Sequence, residues 1–308
     1  MSNEQITTTE RLSDKTQGGE FPLVTVAMPV YNAGKYLRLA VLSIVRQTFT
    51  NWELLIIDDG STDNAFKDIA DIDDERIKIF RDGVNRGLAA RLNEAADIAR
   101  GRYFARMDGD DVSYPERFAR QVAALQNNPE LDLVATRTVT IDENNQATGL
   151  FPFAISHDEI CARPWRGFYF PHPTWMGKTE WFRKYQYTEP GPFCCEDQEL
   201  LLRSYSDSQL GTLDEILFAY RIRSIIDWQK LARTRCTVIT VQWRHFANLN
   251  LWHFLVLANV AFIGKIINDF LRKISVSTFQ SEHHITDDAV LFKWNKIFDD
   301  LITKPKAP

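Results

Sequence analysis

Tyr103-Phe104-Ala105-Arg106-Met107-Asp108-Gly109-Asp110-Asp111 is a short apolar run that ends in a cluster of carboxylates. Pro115 follows, then a helical pattern carried by Phe118, Val122 and Leu125. A strand, an acidic turn and a helix are the expected elements, with Pro115 suited to a first helical turn. The same grammar recurs upstream. Leu23 to Met28 reads as a buried strand closed by Pro29, and Leu37, Val41, Ile44 and Val45 then recur at helical spacing. Trp52 to Ile57 reads as a second strand ending in Asp58-Asp59-Gly60-Ser61, and Ile77 to Phe80 as a third. Leu88, Leu92, Ala95 and Ala99 mark a helix before Gly101, and Leu131 to Thr136 a further strand. Strands alternating with helices predict an α/β fold: a mostly parallel central sheet with helices on both faces.

In such sheets ligands bind beyond the carboxyl ends of the strands. Here those ends deliver Pro29-Val30-Tyr31-Asn32, Asp58-Asp59 and Asp108-Gly109-Asp110-Asp111 to one crevice. Closely spaced carboxylates repel, and protonation or a cation relieves them. Mg²⁺ and similar hard ions take carboxylate and phosphate oxygens together, so a D-x-D can hold a metal that also grips a diphosphate. Acidic turns and helix starts use the same residues without any metal. Asp58 to Asp63 invites a phosphatase reading of the D-x-D-G-T type, but the nucleophile position holds Ile57. That reading fails. Glu196-Asp197 opens a helical stretch, where acidic residues favour the macrodipole or supply a base for an acceptor hydroxyl. His172, between Pro171 and Pro173, lacks companion metal ligands and suits a structural or acceptor-side role.

Composition narrows the classes further. The chain has 308 residues with a formal net charge of −5, which gives no basic footprint for nucleic acid. Residues 226–308 carry 11 Lys+Arg against 7 Asp+Glu, so a basic end follows an acidic body. Cys161, Cys194, Cys195 and Cys236 show no zinc spacing, and the N-terminus has no charged-then-apolar leader; a reduced, cytosolic protein is expected. Residues 1–20 read as a disordered polar tail, 21–225 as the catalytic unit and 226–308 as a helical extension. Leu251 to Ile263 is almost wholly apolar but short of the roughly 20 residues a membrane span needs. It suits either a helix packed on the protein or on a second copy, or a membrane-surface helix with Arg244, Lys265, Arg272 and Lys273 near headgroups.

The order of motifs carries more than any one of them. Val26-Ala27-Met28-Pro29-Val30-Tyr31-Asn32 precedes Asp58-Asp59-Gly60-Ser61-Thr62-Asp63, then Asn85-Arg86-Gly87-Leu88-Ala89. Ala105 to Asp111 and Pro115-Glu116-Arg117 follow, then His172-Pro173-Thr174 and Glu196-Asp197-Gln198-Glu199-Leu200. Over roughly Phe21 to Arg223 the chain resembles the bacterial family 2 glycosyltransferases of the GT-A fold, which build surface polysaccharides and O-antigens. The resemblance implies an inverting, metal-dependent transferase acting on a nucleotide-diphosphate sugar, a UDP-sugar being favoured. The acceptor would be a saccharide or a lipid-linked saccharide, met in the cytoplasm or at the inner face of the membrane. It implies that Pro29, Tyr31 and Asp59 hold base and ribose, and that Asp108 faces ribose and diphosphate. Asp110 would bind Mn²⁺ or Mg²⁺, and Asp197 would be the base, with Glu196 and His172 on the acceptor side. The family's Arg-Asn pair appears as Arg91-Leu92-Asn93. The Gln-x-x-Arg-Trp signature of processive synthases is missing, which implies single additions. Two other readings stay open: a silent nucleotide-sugar-binding scaffold, and a sugar nucleotidyltransferase. The latter usually carries a Gly-rich basic loop after its first strand, where this chain has Pro29-Val30-Tyr31-Asn32-Ala33-Gly34-Lys35.

Overall fold

The computed structural model describes residues 21–222, 226–275 and 287–303. The tail expected over residues 1–20 lies outside them. Strands β1 (Val24–Val30) and β2 (Trp52–Asp58) are buried along their whole length, as continuous apolar runs in a doubly covered sheet should be. With β3 (Ile77–Arg81) and β4 (Tyr103–Arg106) they form a parallel block in the order β3-β2-β1-β4. β1 shows the period of two directly. Val24, Val26, Met28 and Val30 pack with α1 (Leu37–Val45) and α3 (Arg117–Asn127), while Ala27 faces the cluster holding α2 (Leu88–Ile98). Helices cover both faces.

The second half of the sheet is mixed. β8 (Met176–Lys178) pairs antiparallel with β4 and with β6 (Leu133–Ile141), so it lies between two strands of like direction. β9 (Leu210–Arg221) runs parallel to β6, and β5 (Val112–Ser113) and β7 (Ala147–Leu150) are antiparallel additions. Among the described residues six strands run one way and three the other, a mostly parallel sheet. β6 runs on to Ile141, beyond the expected Thr136, because β9 pairs with it to the end. Pro115 precedes α3 rather than entering its first turn. The short α4 (His157–Cys161) is closed by a Ser156–Glu159 capping box. α5 (Thr179–Tyr185) and α6 (Glu196–Ser204) complete the α2 face.

Three helices follow: α7 (Trp228–Asn248), α8 (Trp252–Ser275) and α9 (Asp288–Thr303). The apolar segment read as stopping at Ile263 is part of a 24-residue helix. Its continuation was hidden by Lys265 and Asp269, which turn inward: Lys265 donates to the Arg166 carbonyl at 2.7 Å and Asp269 pairs with Arg235 at 3.0 Å. Lys265 is therefore not one of the outward cations. Phe246 and Leu255 join the α2-side core, and Trp294 of α9 is fully buried against Tyr114, Val139 and Ile141.

Candidate active site

The loops after β1 and β2 are stitched together. Asn32, in the left-handed region at φ 52°, accepts from the Thr62 amide at 2.8 Å through its side chain, and its own amide donates to Ser61 Oγ at 3.0 Å. Asp63 accepts from the Gly34 amide at 2.8 Å. Gly60 has φ 76°, and a Cβ there would lie 3.0 Å from the Asn85 nitrogen, so the turn after Asp58-Asp59 demands glycine. The loop after β1 walls a cavity of about 460 Å³ lined by Pro29, Tyr31, Asn32, Tyr36, Asp108, Asp110 and Arg221. Its size is that of a small-ligand pocket.

Asp108, Asp110 and Asp111 bring carboxylate oxygens within 4.8 Å of one another. Burial pushes the Asp111 carboxyl well above the ordinary carboxylate range, and the like charges of Asp108 and Asp110 push it further. One Asp111 oxygen accepts the Arg221 amide at 2.7 Å, while the other is buried without a protein partner. A convergent set of oxygens with an unsatisfied acceptor fits a hard divalent cation. The residues present suit the group.

Asp108 also lines a second cavity of about 640 Å³, shared with Arg106, His172, Glu196, Asp197 and Lys230. Asp197 accepts from Gln198 Nε2 at 3.1 Å, and Gln198 is itself held by the Phe168 amide at 2.8 Å. Burial raises the Asp197 carboxyl. Glu196, beside it, is pushed up to about 7 by burial and then by the Asp197 charge. His172 Nε2 lies 2.7 Å from the Tyr187 hydroxyl. Burial and the neighbouring Arg106 hold the imidazole neutral, so its 4.0 Å approach to Glu196 is no ion pair. Arg106 is buried and bound to Asp108 at 2.8 Å; its Nε and Nη1 have no hydrogen-bond partner among the described residues.

Asp59 stands apart from these walls. Its carboxylate accepts from the Arg86 amide at 2.7 Å, the Gly87 amide at 3.0 Å and Arg91 Nε at 3.0 Å. Arg91, only 1% exposed, also binds Asp82 at 2.6 Å and Glu94 at 2.8 Å. Asp59 thus carries the loop that supplies Arg86 and Gly87 to the second cavity. Pro29, Tyr31, Asp108 and Asp110 meet in the first cavity, and Asp108, His172, Glu196 and Asp197 in the second. Asp59 lines neither of them.

Sequence reasoning missed Arg221. Its Nε donates to the Asp110 carbonyl at 2.7 Å, its Nη2 to Asn145 Oδ1 at 2.8 Å, and its guanidinium lies 4.0 Å over the Tyr36 ring. Trp294 of α9 anchors the same turn by donating to the Asn145 carbonyl at 2.9 Å. Nothing in a lone arginine after Ala219-Tyr220 announces this, since its hydrogen-bond partners come from positions 76 to 111 residues away. Arg117 was visible only as part of a motif. It is fully buried and donates to the Arg106 carbonyl at 2.8 Å, bracing the strand end behind the acids.

Residues 25–186 match the model of the glycosyl transferase family 2 domain. The chain belongs to glycosyltransferase family 2. This glycosyltransferase is 34% identical over 206 residues to the glycosyltransferase EpsE of Bacillus subtilis, covering 65% of this chain and 73% of that one. It is 31% identical over 210 residues to the O-antigen biosynthesis glycosyltransferase WbnJ of Escherichia coli, covering 66% and 80%. It is 35% identical over 140 residues to WfgD of Escherichia coli, a UDP-Glc:α-D-GlcNAc-diphosphoundecaprenol β-1,3-glucosyltransferase, covering 45% and 54%. Two solved structures share its GT-A fold. TarS 1-349 of S. aureus in complex with UDP superposes with a TM-score of 0.56 at 18% identity, covering 71% of this chain and 65% of that one. The mannosyltransferase PcManGT of Pyrobaculum calidifontis, with GDP-Man and Mn²⁺, gives 0.54 at 15%, covering 93% and 89%. The enzyme moves sugars from a nucleotide-sugar donor.

Proposed function

We propose that the enzyme is an inverting, non-processive transferase that uses Mn²⁺ or Mg²⁺ and adds a sugar, from a UDP donor by preference, to a saccharide or lipid-linked saccharide hydroxyl in bacterial surface polysaccharide assembly. Residues 21–225 form the catalytic unit and 226–308 a helical extension, working at the cytoplasmic face of the membrane. The observation that carries this reading is Asp108, which lines both cavities. A donor seated among Pro29, Tyr31 and Asp110 therefore ends next to Glu196 and Asp197.

The residues then divide the work. Pro29 and Tyr31 hold the nucleotide, while Asp59 acts indirectly, by fixing the Arg86-Gly87 loop of the second cavity. Asp108 and Asp110, with Asp111 behind them, are the oxygens for the cation, which when bound supplies Lewis-acid neutralisation of the leaving diphosphate. Asp197 takes the proton of the attacking acceptor hydroxyl, its basicity raised by burial. His172 stays neutral and orients Tyr187 on the acceptor side. A single displacement from the face opposite the diphosphate inverts the anomeric carbon. Support for the donor and the ion comes from the folds that hold UDP, and GDP-Man with Mn²⁺; support for a lipid-linked acceptor comes from the WfgD relative.

The test is product analysis with a UDP-sugar panel and Mn²⁺, with and without chelator. Release of nucleoside diphosphate and an inverted anomeric signal by NMR are expected. Pyrophosphate released from UTP and a sugar 1-phosphate, offered in place of the UDP-sugar, would make it a nucleotidyltransferase, and donor binding without any release a silent scaffold.

A further inference from the structure

The α7–α8 hairpin presents a broad apolar face to the outside of the molecule. Val256, Val260, Ile263, Ile267, Phe270 and Ile274 are each more than half exposed and follow one another at alternating steps of four and three residues. That spacing keeps them on one side of the helix. The opposite side is committed to protein: Leu255 and Ala258 are buried, Phe254 stacks on Trp165 at 4.9 Å, and Asp269 and Lys265 make the inward contacts given above. A soluble monomer rarely leaves a continuous apolar strip of this length bare.

Charge selects the occupant. Residues 227–275 contain seven Lys+Arg against two Asp+Glu, a net +5 on a chain whose total is −5. Both acids are already used, Asp227 in capping α7 and Asp269 in binding Arg235. Arg244, Arg272 and Lys273 remain on the exposed surface, and Trp243 and Trp252 stand exposed near the α7–α8 turn. A second copy would bring the same positive charge against this face. In addition, the positions flanking the strip are Leu257, Ile266 and Leu271, all exposed, where a helix–helix seam carries charged pairs. An apolar strip this wide, rimmed by cations and aromatic rings, matches the boundary of an anionic bilayer.

We infer that the α7–α8 hairpin docks the enzyme on an anionic lipid surface, with α8 lying in the plane of the interface and its Val256–Ile274 strip immersed. α8 is long enough to cross a bilayer, an 18-residue window within Trp252–Ile274 having a mean hydropathy of 1.7. Spanning would draw α7, the Arg235–Asp269 pair and the Arg166 loop into hydrocarbon with it, because they are fastened along its inner side. In-plane docking keeps those groups on the protein side. α7 also carries Lys230 into the wall of the second cavity, and Arg233 sits 3.9 Å over the Phe193 ring on that wall. The helix pair that rests on lipid is thereby part of the acceptor site, which suits an acceptor that is itself anchored in the membrane. This deepens the lipid-linked branch of the proposed function and rests on it for the acceptor, but not for the docking.

Flotation of the full chain with vesicles reads docking without turnover. The wild type should float with vesicles holding about one phosphatidylglycerol in three lipids and stay behind with pure phosphatidylcholine, and high salt should weaken the capture. Val260→Glu with Ile267→Glu should cut partitioning about tenfold or more, while diphosphate release with a water-soluble acceptor is unchanged. Equal flotation with both vesicle types, or none with either, overturns the proposal. So does a wild type that sediments as a dimer which the double variant splits, since the strip would then belong to a second copy. A chain that floats but transfers no sugar defeats the functional reading instead.

Discussion

On the donor side of Asp108 the acidic groups converge from one short loop between β4 and β5; on the acceptor side Glu196 and Asp197 are consecutive residues in the first turn of α6. The donor-side loop is fastened from behind, by Arg106 on Asp108, by Arg221 on the Asp110 carbonyl and the Asp111 carboxylate, and by Arg117 under the strand. Its oxygens cannot spread apart to relieve their repulsion, which favours a cation between them. Among the described residues Glu196 and Asp197 have Arg106 nearby but no bonded arginine, and burial raises them both. Repulsion there is relieved by binding a proton. In the proposed reading the same side-chain chemistry serves a cation in one half of the crevice and a proton in the other, with Asp111 raised by burial and like charge on the cation side as well.

The largest effect should follow from breaking the proton side. Asp197→Asn is expected to lower kcat about 10³-fold with donor affinity retained, measured by diphosphate release and by calorimetry. An active Asp197→Asn enzyme would return the base role to Glu196. Asp110→Ala should weaken Mn²⁺-dependent donor binding by about 100-fold, seen as a lost difference between titrations with and without the ion. Binding that is unchanged would remove the cation from the donor half. Arg221→Gln should sharpen the contrast with a smaller change, raising donor and Mn²⁺ dissociation constants about tenfold while leaving kcat at saturation near normal. A purely structural role would instead lower the melting temperature and leave the affinities alone.

The smallest effect is thermodynamic. Glu196 in the folded protein titrates near 7, above its ordinary 4.5. Ionising it therefore costs stability as pH climbs through that interval, and the full cost is present above about pH 7. Glu196→Gln should raise the melting temperature at pH 8, through a stabilisation of about 3 kcal/mol, and change little at pH 4. An equal shift at both pH values would mean that packing, not charge, separates the two carboxylates.

Much of this was legible in the order of residues. Strands β2 and β4 are largely apolar runs, apart from Glu53 and Arg106, so the acids at or beyond their ends could be placed before any fold was known; β1 instead runs through Pro29, which pairs with Ile57, and ends at Val30. β8 could not: Met176-Gly177-Lys178 is too short to show a period, and its position between β4 and β6 depends on pairing with both. β9 hides behind Asp214 and Glu215, which interrupt its alternation where the register with β6 shifts. α8 was truncated in the reading because inward-facing Lys265 and Asp269 look like a helix's polar end when their partners, the Arg166 carbonyl and Arg235, are unknown.

The sequence by itself determined the family, the alternation of elements and which carboxylates stand at strand ends, because those are written in local apolar periodicity and short-range order. Tertiary structure decided what each charge meets. It gave Asp59 to Arg91, Arg221 to the acid loop, a neutral state to His172 and a raised proton affinity to Glu196. Burial and the approach of partners tens to more than a hundred residues away set those outcomes, and neither is a property of a residue's neighbours along the chain.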